Sequence, residues 1–177
     1  VVLDEAYNEY LPEDNKYDSV SWLEKFPNLI ISRTFSKAYG LASLRIGYAM
    51  ANAQVIDMMN RVRQPFNVNS MAQAAAVAAL GDKDFVQQTF TLNRNGMKQI
   101  EDGLVKLGLE FIPSLGNFLC FKVEDEAGVY QRLLELGVIV RPVANYGMPG
   151  YLRVSVGLET ENEVFLSALK QALGEQE

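Results

Sequence analysis

The sequence contains no histidine, and this absence removes several kinds of active site at once. Catalytic triads built on Ser, His and Asp, and dyads built on Cys and His, need an imidazole as the proton carrier. Zinc sites that use imidazole ligands are excluded for the same reason. We expect no metal site, and proton transfer must depend on other side chains.

Cysteine is nearly absent as well, because Cys120 is the only one and lies in the apolar run FLCF. No internal disulfide can form, which predicts a reducing compartment, the cytoplasm. We favour a buried and inert thiol over a nucleophile as the interpretation of Cys120.

Long apolar runs and long basic runs are also missing. No stretch approaches the roughly 20 apolar residues that span a bilayer, and the formal net charge is -6 at pH 7. We therefore expect neither a nucleic-acid partner nor a membrane partner. The chain opens in the apolar run VVL without an initiating Met, as a strand inside a longer protein does, so we expect a fragment.

The chain up to residue 81 alternates short apolar runs with helical patterns, which is typical of an α/β sheet. We predict strands at residues 1–3, 29–32 and 45–50, and helices at residues 19–26, 52–63 and 69–80. Asn69 or Ser70 is the predicted N-cap of the last helix, and Gly81 is its predicted end.

The rest of the chain has a different pattern. A long amphipathic segment at residues 82–108 predicts a connecting helix. Beyond it, we predict strands at residues 109–112, 117–123, 138–141 and 151–156, and helices at residues 125–136 and 160–173. The predicted fold class is α/β, and we divide it into part of a larger domain at residues 1–81, the connecting helix, and a small α+β domain at residues 109–177.

The segment SRTFSKAYGLASLRIGY, residues 32–48, has a lysine where a buried strand ends. A solvated lysine at a strand end is the ordinary interpretation. The neighbouring hydroxyl and guanidinium groups favour another, because they can hold a dianionic phosphate beside an amine. The amine is that of Lys37, a candidate Schiff-base nucleophile. The neighbours are Thr34, Ser36 and Arg45.

A carboxylate and a phenol follow the first predicted strand, in VVLDEAY. If that strand and the next are parallel neighbours, Asp4, Tyr7 and Lys37 meet at the carboxyl edge of the sheet, where α/β proteins bind ligands. A carboxylate opposite a pyridinium nitrogen is the partner that a pyridoxal cofactor needs. The alternative is that Asp4 caps a turn and Tyr7 lies at the edge of the core.

Two arginines adjoin short C-terminal strands, Arg141 in VIVRP and Arg153 in YLRVSV. Guanidinium groups that flank one loop can clamp a phosphate or a carboxylate bidentately. The alternative is that both are surface arginines on edge strands.

The order and spacing of these motifs resemble the fold-type I pyridoxal-phosphate aminotransferases. The segments VVLDEAYNEY, SRTFSKAYGLASLRIGYA, RQPFNVNS, GVIVRPVANYG and YLRVSVGLETENE are most similar to the histidinol-phosphate aminotransferase family. The resemblance covers nearly the whole chain. It implies the C-terminal part of that fold, with an incomplete α/β large-domain sheet and a small α+β C-terminal domain.

The resemblance also implies a role for each cofactor residue. Lys37 forms the Schiff base with pyridoxal 5'-phosphate and, once released, carries the proton between the substrate Cα and the cofactor C4′. Asp4 pairs with the pyridine nitrogen, and Tyr7 hydrogen-bonds the phenolic oxygen. The cofactor phosphate is bound by Thr34, Ser36 and Arg45.

For the substrates, the resemblance implies amino transfer between L-histidinol phosphate and 2-oxoglutarate, with imidazole acetol phosphate and glutamate as products. Arg153, with Arg141 as the second candidate, holds the anionic end of the substrate. The segment RQPFNVNS, residues 63–70, resembles a stretch near the dimer interface of these enzymes, so a homodimer is implied for the intact protein.

Other hypotheses stay open. One is an aromatic or broad-specificity aminotransferase of the same fold, and a more distant one is a cobalamin-pathway decarboxylase with similar motifs. A third is a non-catalytic interaction domain. The family's N-terminal segments, which carry half of the cofactor site, do not occur in this sequence. We therefore expect this length of chain by itself to bind the cofactor weakly and to show no transaminase turnover.

Overall fold

The structure is a computed structural model that describes residues 1–174. The chain divides into two compact units, Val1–Phe90 and Thr91–Glu177. The division falls inside one long helix, Lys83–Lys106. The three-part division proposed from the sequence stays a prediction.

A three-stranded sheet forms the centre of the first unit. Its strands are β1 (Val2–Asp4), β2 (Ile30–Thr34) and β3 (Gly47–Ala51), in that order across the sheet. β1 runs parallel to β2, whereas β3 is antiparallel to β2. The first two predicted strands are thus parallel neighbours, which is the condition set above, and their carboxyl ends meet at one edge of the sheet.

Three helices follow the sheet, namely α1 (Ala53–Val62), α2 (Ser70–Gly81) and α3 (Lys83–Lys106). Asparagine side chains cap the first two by accepting a backbone hydrogen bond. Asn52 accepts from the N–H of Gln54, and Asn69 accepts from the N–H of Ala72 at 2.8 Å. The predicted N-cap at Asn69 and the predicted end of this helix at Gly81 are confirmed.

The predicted helix at residues 19–26 is a short 3-10 helix, Val20–Glu24. Pro27 follows closely and disfavours helical backbone at the residue before it. The segment therefore ends before it reaches the length of a stable α-helix.

The second unit contains a four-stranded antiparallel sheet. After α3 its elements are β4 (Phe111–Ile112), β5 (Phe118–Lys122), α4 (Glu126–Glu135), β6 (Arg141–Pro142), β7 (Tyr151–Ser155) and α5 (Glu159–Ala172). The strand order is β4-β5-β7-β6, so β7, which follows β6 along the chain, lies between β5 and β6. Helices and strands are mixed in both units, which confirms the predicted α/β fold class.

Alternate residues of β5 and β7 point into the hydrophobic core of this unit and line one side of it. The inward residues are at most 6% exposed and are Leu119, Phe121, Leu152 and Val154. They pack with fully buried residues of α3, α4 and α5, among them Ile100, Leu133 and Leu169. Burial of each such side chain stabilises the fold by about 1.5–3 kcal/mol, so this core fixes the register of β7 against β5.

The strand predicted at residues 138–141 is shorter in the structure, where β6 contains two residues only. The turn after α4 contains a left-handed Gly137, with φ 78°, and the N–H of Val138 donates to the carbonyl of Leu133 at 2.8 Å. Val138 therefore closes the helix end and does not pair with a strand. At the C-terminal end of β6, Pro142 has no N–H to donate, so it cannot contribute a donor that would extend the strand pairing.

Within residues 1–174, no helix is long and apolar enough to cross a membrane. In the same range, the acidic and cysteine side chains form no group of three or more that could hold a metal ion.

Candidate active site

Asp4 ends β1 at the carboxyl edge of the first sheet and is exposed. It lies opposite Ser32 of β2, whose Oγ donates a hydrogen bond to Asp4 Oδ1 at 3.2 Å. The N–H of Ala6 donates to the same oxygen at 3.1 Å, which is the turn contact considered as the alternative role. Oδ2 accepts no hydrogen bond from the described residues. The carboxylate is thus held in place with one oxygen available to a cationic group.

Lys37 lies in the turn that follows β2. Its neighbours Phe35 and Ala38 are 4% and 2% exposed, so they anchor the turn while Lys37 itself is exposed. The N–H of Gly40 donates to the Lys37 carbonyl at 2.9 Å and closes the turn. Lys37 Nζ lies 5.7 Å from the centre of the Tyr7 ring, within the range of a cation–π contact. The structure therefore brings the predicted amine and phenol together.

Thr34 is the last residue of β2, and Ser36 lies between this strand and Lys37. The N–H of Ser36 donates to Thr34 Oγ1 at 3.0 Å, which leaves the hydroxyl hydrogen of Thr34 for a further acceptor. Thr34 pairs with Gly47, the first residue of β3. Because β3 is antiparallel to β2, the segment just before Gly47 lies at the same edge of the sheet, and this segment contains Arg45.

Arg45 has a left-handed backbone, with φ 52° and ψ 48°. For a residue with a Cβ this conformation costs about 1–2 kcal/mol, and such outliers concentrate at functional sites. The Arg45 Nη1 group donates to the carbonyl of Ala42 at 2.8 Å. Its other side-chain N–H groups bond to no described residue and suit an anion. All the predicted cofactor residues thus lie at one edge of the sheet.

The two predicted substrate arginines lie directly opposite each other in the second sheet. Arg141 of β6 pairs with Arg153 of β7, so both side chains project from the same face. The Arg153 Cζ atom is 4.7 Å from the centre of the Phe118 ring, a cation–π contact. On its other side Arg153 pairs with Cys120 of β5. Cys120 is partly exposed, not buried as predicted, because it faces away from the core beside Arg153. Its partial burial raises the pKa of the thiol, and the charge of Arg153 offsets part of that rise.

Comparison of the sequence with known families matches it to one of them. The family described as aminotransferase class I and II matches residues 1–169, which is nearly the whole chain. The chain belongs to the class I and II aminotransferase family.

Relatives of this chain include a histidinol-phosphate aminotransferase of Cupriavidus pinatubonensis. It is 60% identical over 98% of this chain and 47% of its own length. The chain therefore spans about half the length of the curated relatives it matches.

Solved structures show the same fold. A histidinol-phosphate aminotransferase from Sinorhizobium meliloti, in complex with pyridoxal-5'-phosphate, has a TM-score of 0.85 and 31% identity over 98% of this chain and 48% of its own. An L-threonine-O-3-phosphate decarboxylase from Porphyromonas gingivalis has a TM-score of 0.84 and 26% identity over 98% of this chain and 55% of its own.

One ion pair beside the candidate site, that of Arg33 with the buried Glu5, was not predicted from the sequence. Arg33 Nε donates to Glu5 Oε2 at 2.8 Å. Burial acts to lower the pKa of Arg33, and the hydrogen bonds with Glu5 and Tyr48 outweigh it, so the net shift is upward. The sequence contained a signal for this pair. Glu5 directly follows Asp4 and Arg33 directly precedes Thr34, and neighbouring residues on a strand face opposite sides of a sheet. An acidic and a basic side chain could therefore have been expected together on the side away from Asp4 and Thr34.

Proposed function

We propose that the intact protein is a pyridoxal 5'-phosphate-dependent aminotransferase of histidine biosynthesis. In this proposal it moves the amino group between L-histidinol phosphate and 2-oxoglutarate, with imidazole acetol phosphate and glutamate as products. The observation that carries the proposal is the convergence of a carboxylate, an amine and an anion-binding group at one sheet edge, given by Asp4, Lys37 and Arg45. The names of the curated relatives support the choice of substrate.

The side chains at this edge fit pyridoxal 5'-phosphate in their chemistry. Asp4 Oδ2 can accept from a protonated ring nitrogen, because Oδ1 is already occupied by Ser32 and Ala6. A dianionic phosphate fits hydroxyl and guanidinium donors that bond little else, and we assign Thr34, Ser36 and Arg45 to it. We assign Tyr7 to the phenolic oxygen of the ring. When bound, the cofactor supplies an electron sink for the bond broken at the substrate Cα.

Lys37 has two tasks in the proposed reaction. Its amine attaches the cofactor covalently, and after release it moves the proton of the substrate Cα. Lys37 forms no ion pair with a described residue, so the amine is not held by a competing carboxylate. The absence of such a partner supports its assignment as the proton carrier.

We propose that Arg153 binds the anionic end of the substrate and that Arg141 is its second contact. Two guanidinium groups directly opposite each other on one sheet face repel, and a bound anion relieves that repulsion. A phosphate and a carboxylate both offer paired oxygens to such a group. The same arginines therefore suit histidinol phosphate in one half-reaction and the dicarboxylates in the other.

We also propose that the intact protein is a cytoplasmic homodimer. The free thiol of Cys120 supports a reducing compartment. Phe66, in the segment at residues 63–70, is 98% exposed with φ 56°, which supports a second subunit as its cover. Sedimentation of the full-length protein and of Phe66→Ser tests this, and a monomer that keeps full activity would contradict it.

A phosphoamino-acid decarboxylase is the second candidate, since one solved neighbour of this fold carries that name. An aromatic aminotransferase is the third, because the cofactor residues do not distinguish substrates. Measurement of kcat/KM for histidinol phosphate and phenylalanine, and of CO₂ release from phosphothreonine, separates the three. A clear preference for phenylalanine, or release of CO₂, overturns the first choice.

The cofactor site itself is tested by absorbance of the full-length protein with pyridoxal 5'-phosphate. We expect a visible band from the lysine-bound cofactor, bleached by borohydride and lost in Lys37→Ala. Lys25→Ala is the matched control, because Lys25 is exposed and lies in no assigned site. An unchanged band in Lys37→Ala would reject the assignment.

A further inference from the structure

The first sheet has two chemically different faces at its carboxyl edge. Asp4 pairs with Ser32, so these residues and Thr34 belong to the face that carries the assigned cofactor contacts. Arg33 lies between Ser32 and Thr34 on the strand and pairs with Tyr48 of β3, so it faces the opposite side. We call that opposite side the back face.

The back face holds an ion pair directly behind the cofactor residues. The Glu5 side chain is 0% exposed and that of Arg33 is 21% exposed. The N–H of Glu5 also donates to the carbonyl of Ser32 at 2.9 Å, so Glu5 is tied to β2 by both its backbone and its side chain. Glu5 Oε1 is buried and accepts no hydrogen bond from the described residues. Arg33 is therefore the group that neutralises this carboxylate.

Stability alone does not account for such a pair. Desolvation of two charges offsets most of their attraction, and an apolar pair of similar volume is commonly as stable. What an ion pair adds is a fixed register, because only one alignment of β1 and β2 joins Glu5 to Arg33. A slip of one residue moves Asp4 to the back face and removes it from the cofactor side.

We propose that Glu5 and Arg33 are positioning residues that hold Asp4 and Thr34 at a fixed spacing for the cofactor ring and its phosphate. The inference rests on the proposed function, because it assigns no ligand of its own. Arg33 acts through the strands and touches neither cofactor nor substrate. Tyr48 is the second partner of Arg33 and extends the same contact to β3.

The test uses the full-length protein with variants at the pair. Arg33→Met and Glu5→Gln break it, Arg33→Lys keeps the charge without the planar fork, and Glu5→Leu combined with Arg33→Met makes the pair apolar. The matched control is Arg61→Met, which breaks the exposed ion pair of Arg61 with Asp57 on α1. The readouts are the Kd for pyridoxal 5'-phosphate, the visible circular dichroism of the bound cofactor, and urea unfolding of the cofactor-free protein.

We expect the apolar double variant to unfold at the same urea concentration as the unsubstituted protein, yet to bind the cofactor at least tenfold more weakly and with altered circular dichroism. Arg33→Lys recovers part of the affinity, and Arg61→Met changes nothing. A double variant that binds the cofactor with unchanged Kd overturns the inference. If it fails to fold, unchanged Kd values in Arg33→Lys and Glu5→Gln overturn it. An unsubstituted protein without a lysine-bound cofactor overturns the proposed function, and the inference with it.

Discussion

Arg45 combines a left-handed backbone with an assigned role in phosphate binding, so substitutions at this position separate strain from function. Arg45→Ala and Arg45→Gly both remove the guanidinium and its bond to Ala42. Only the alanine variant keeps a Cβ atom, which a φ of 52° disfavours. The difference in stability between the two variants therefore reports the backbone strain, less the entropy that glycine gains in the unfolded chain.

The magnitude follows from two opposing effects. A left-handed conformation costs a residue with a Cβ about 1–2 kcal/mol. Glycine avoids this cost, but it destabilises the folded state by about 0.4–1 kcal/mol because the unfolded chain with glycine has more conformations to lose on folding. We therefore expect Arg45→Gly to be more stable than Arg45→Ala by about 1 kcal/mol, roughly a fivefold change in the folded-to-unfolded ratio.

The assay is urea denaturation of the cofactor-free protein, with both variants fitted to the same m value. Ala42→Gly is the control in the same turn, because Ala42 begins a 3-10 helix, where the same kind of change is expected to destabilise by about 0.5–1 kcal/mol. Both Arg45 variants lose cofactor affinity equally. If Arg45→Gly is no more stable than Arg45→Ala, the strained backbone at this position is refuted.

Three further predictions concern other sites. Asn162→Ala removes the buried amide that accepts from the N–H of Gly157 at 2.9 Å, and we expect a loss of about 3 kcal/mol by urea denaturation. Burial raises the pKa of Glu9 above its ordinary value, so its charged form opposes folding once the pH is high enough to ionise it. We expect Glu9→Gln to raise Tm at pH 7 and to leave it unchanged at pH 3. Cys120 should react slowly with iodoacetamide at pH 7, and more slowly still in Arg153→Met.

Each of these has a result that contradicts it. A loss below 1 kcal/mol in Asn162→Ala means that water replaces the amide. A Tm that falls at pH 7 in Glu9→Gln reverses the sign argued from burial. Faster alkylation of Cys120 after the arginine is removed shows that Arg153 shields the thiol and does not help to ionise it.

Local patterns predicted the elements of this fold well. The apolar runs at residues 1–3 and 29–32 are strands, and the long amphipathic segment is a helix that ends before Gly108 with φ 65°. The Asn69 cap was predictable because a short polar side chain before an alanine-rich segment satisfies N–H groups that the helix leaves open.

Register and pairing between distant segments were not predictable in the same way. From their positions in the sequence, Arg141 and Arg153 are two arginines that flank a loop, and no local pattern predicts that they lie directly opposite each other. That alignment depends on the core residues of β5 and β7, which lie far apart in the chain. The left-handed Arg45 was missed because its neighbours contain no turn signal specific to position 45.

The position of β7 between β5 and β6 has a consequence for synthesis on the ribosome. β5 leaves the ribosome before β7, its partner at residues 151–155, because a helix, a strand and a loop are synthesised between the two. At bacterial and eukaryotic elongation rates this interval lasts on the order of seconds. During that time the nascent chain presents the unpaired edge of FLCF to other chains. β7, which places Arg153 opposite Arg141, is thus also the strand that covers the exposed edge of β5 and prevents its pairing with other chains.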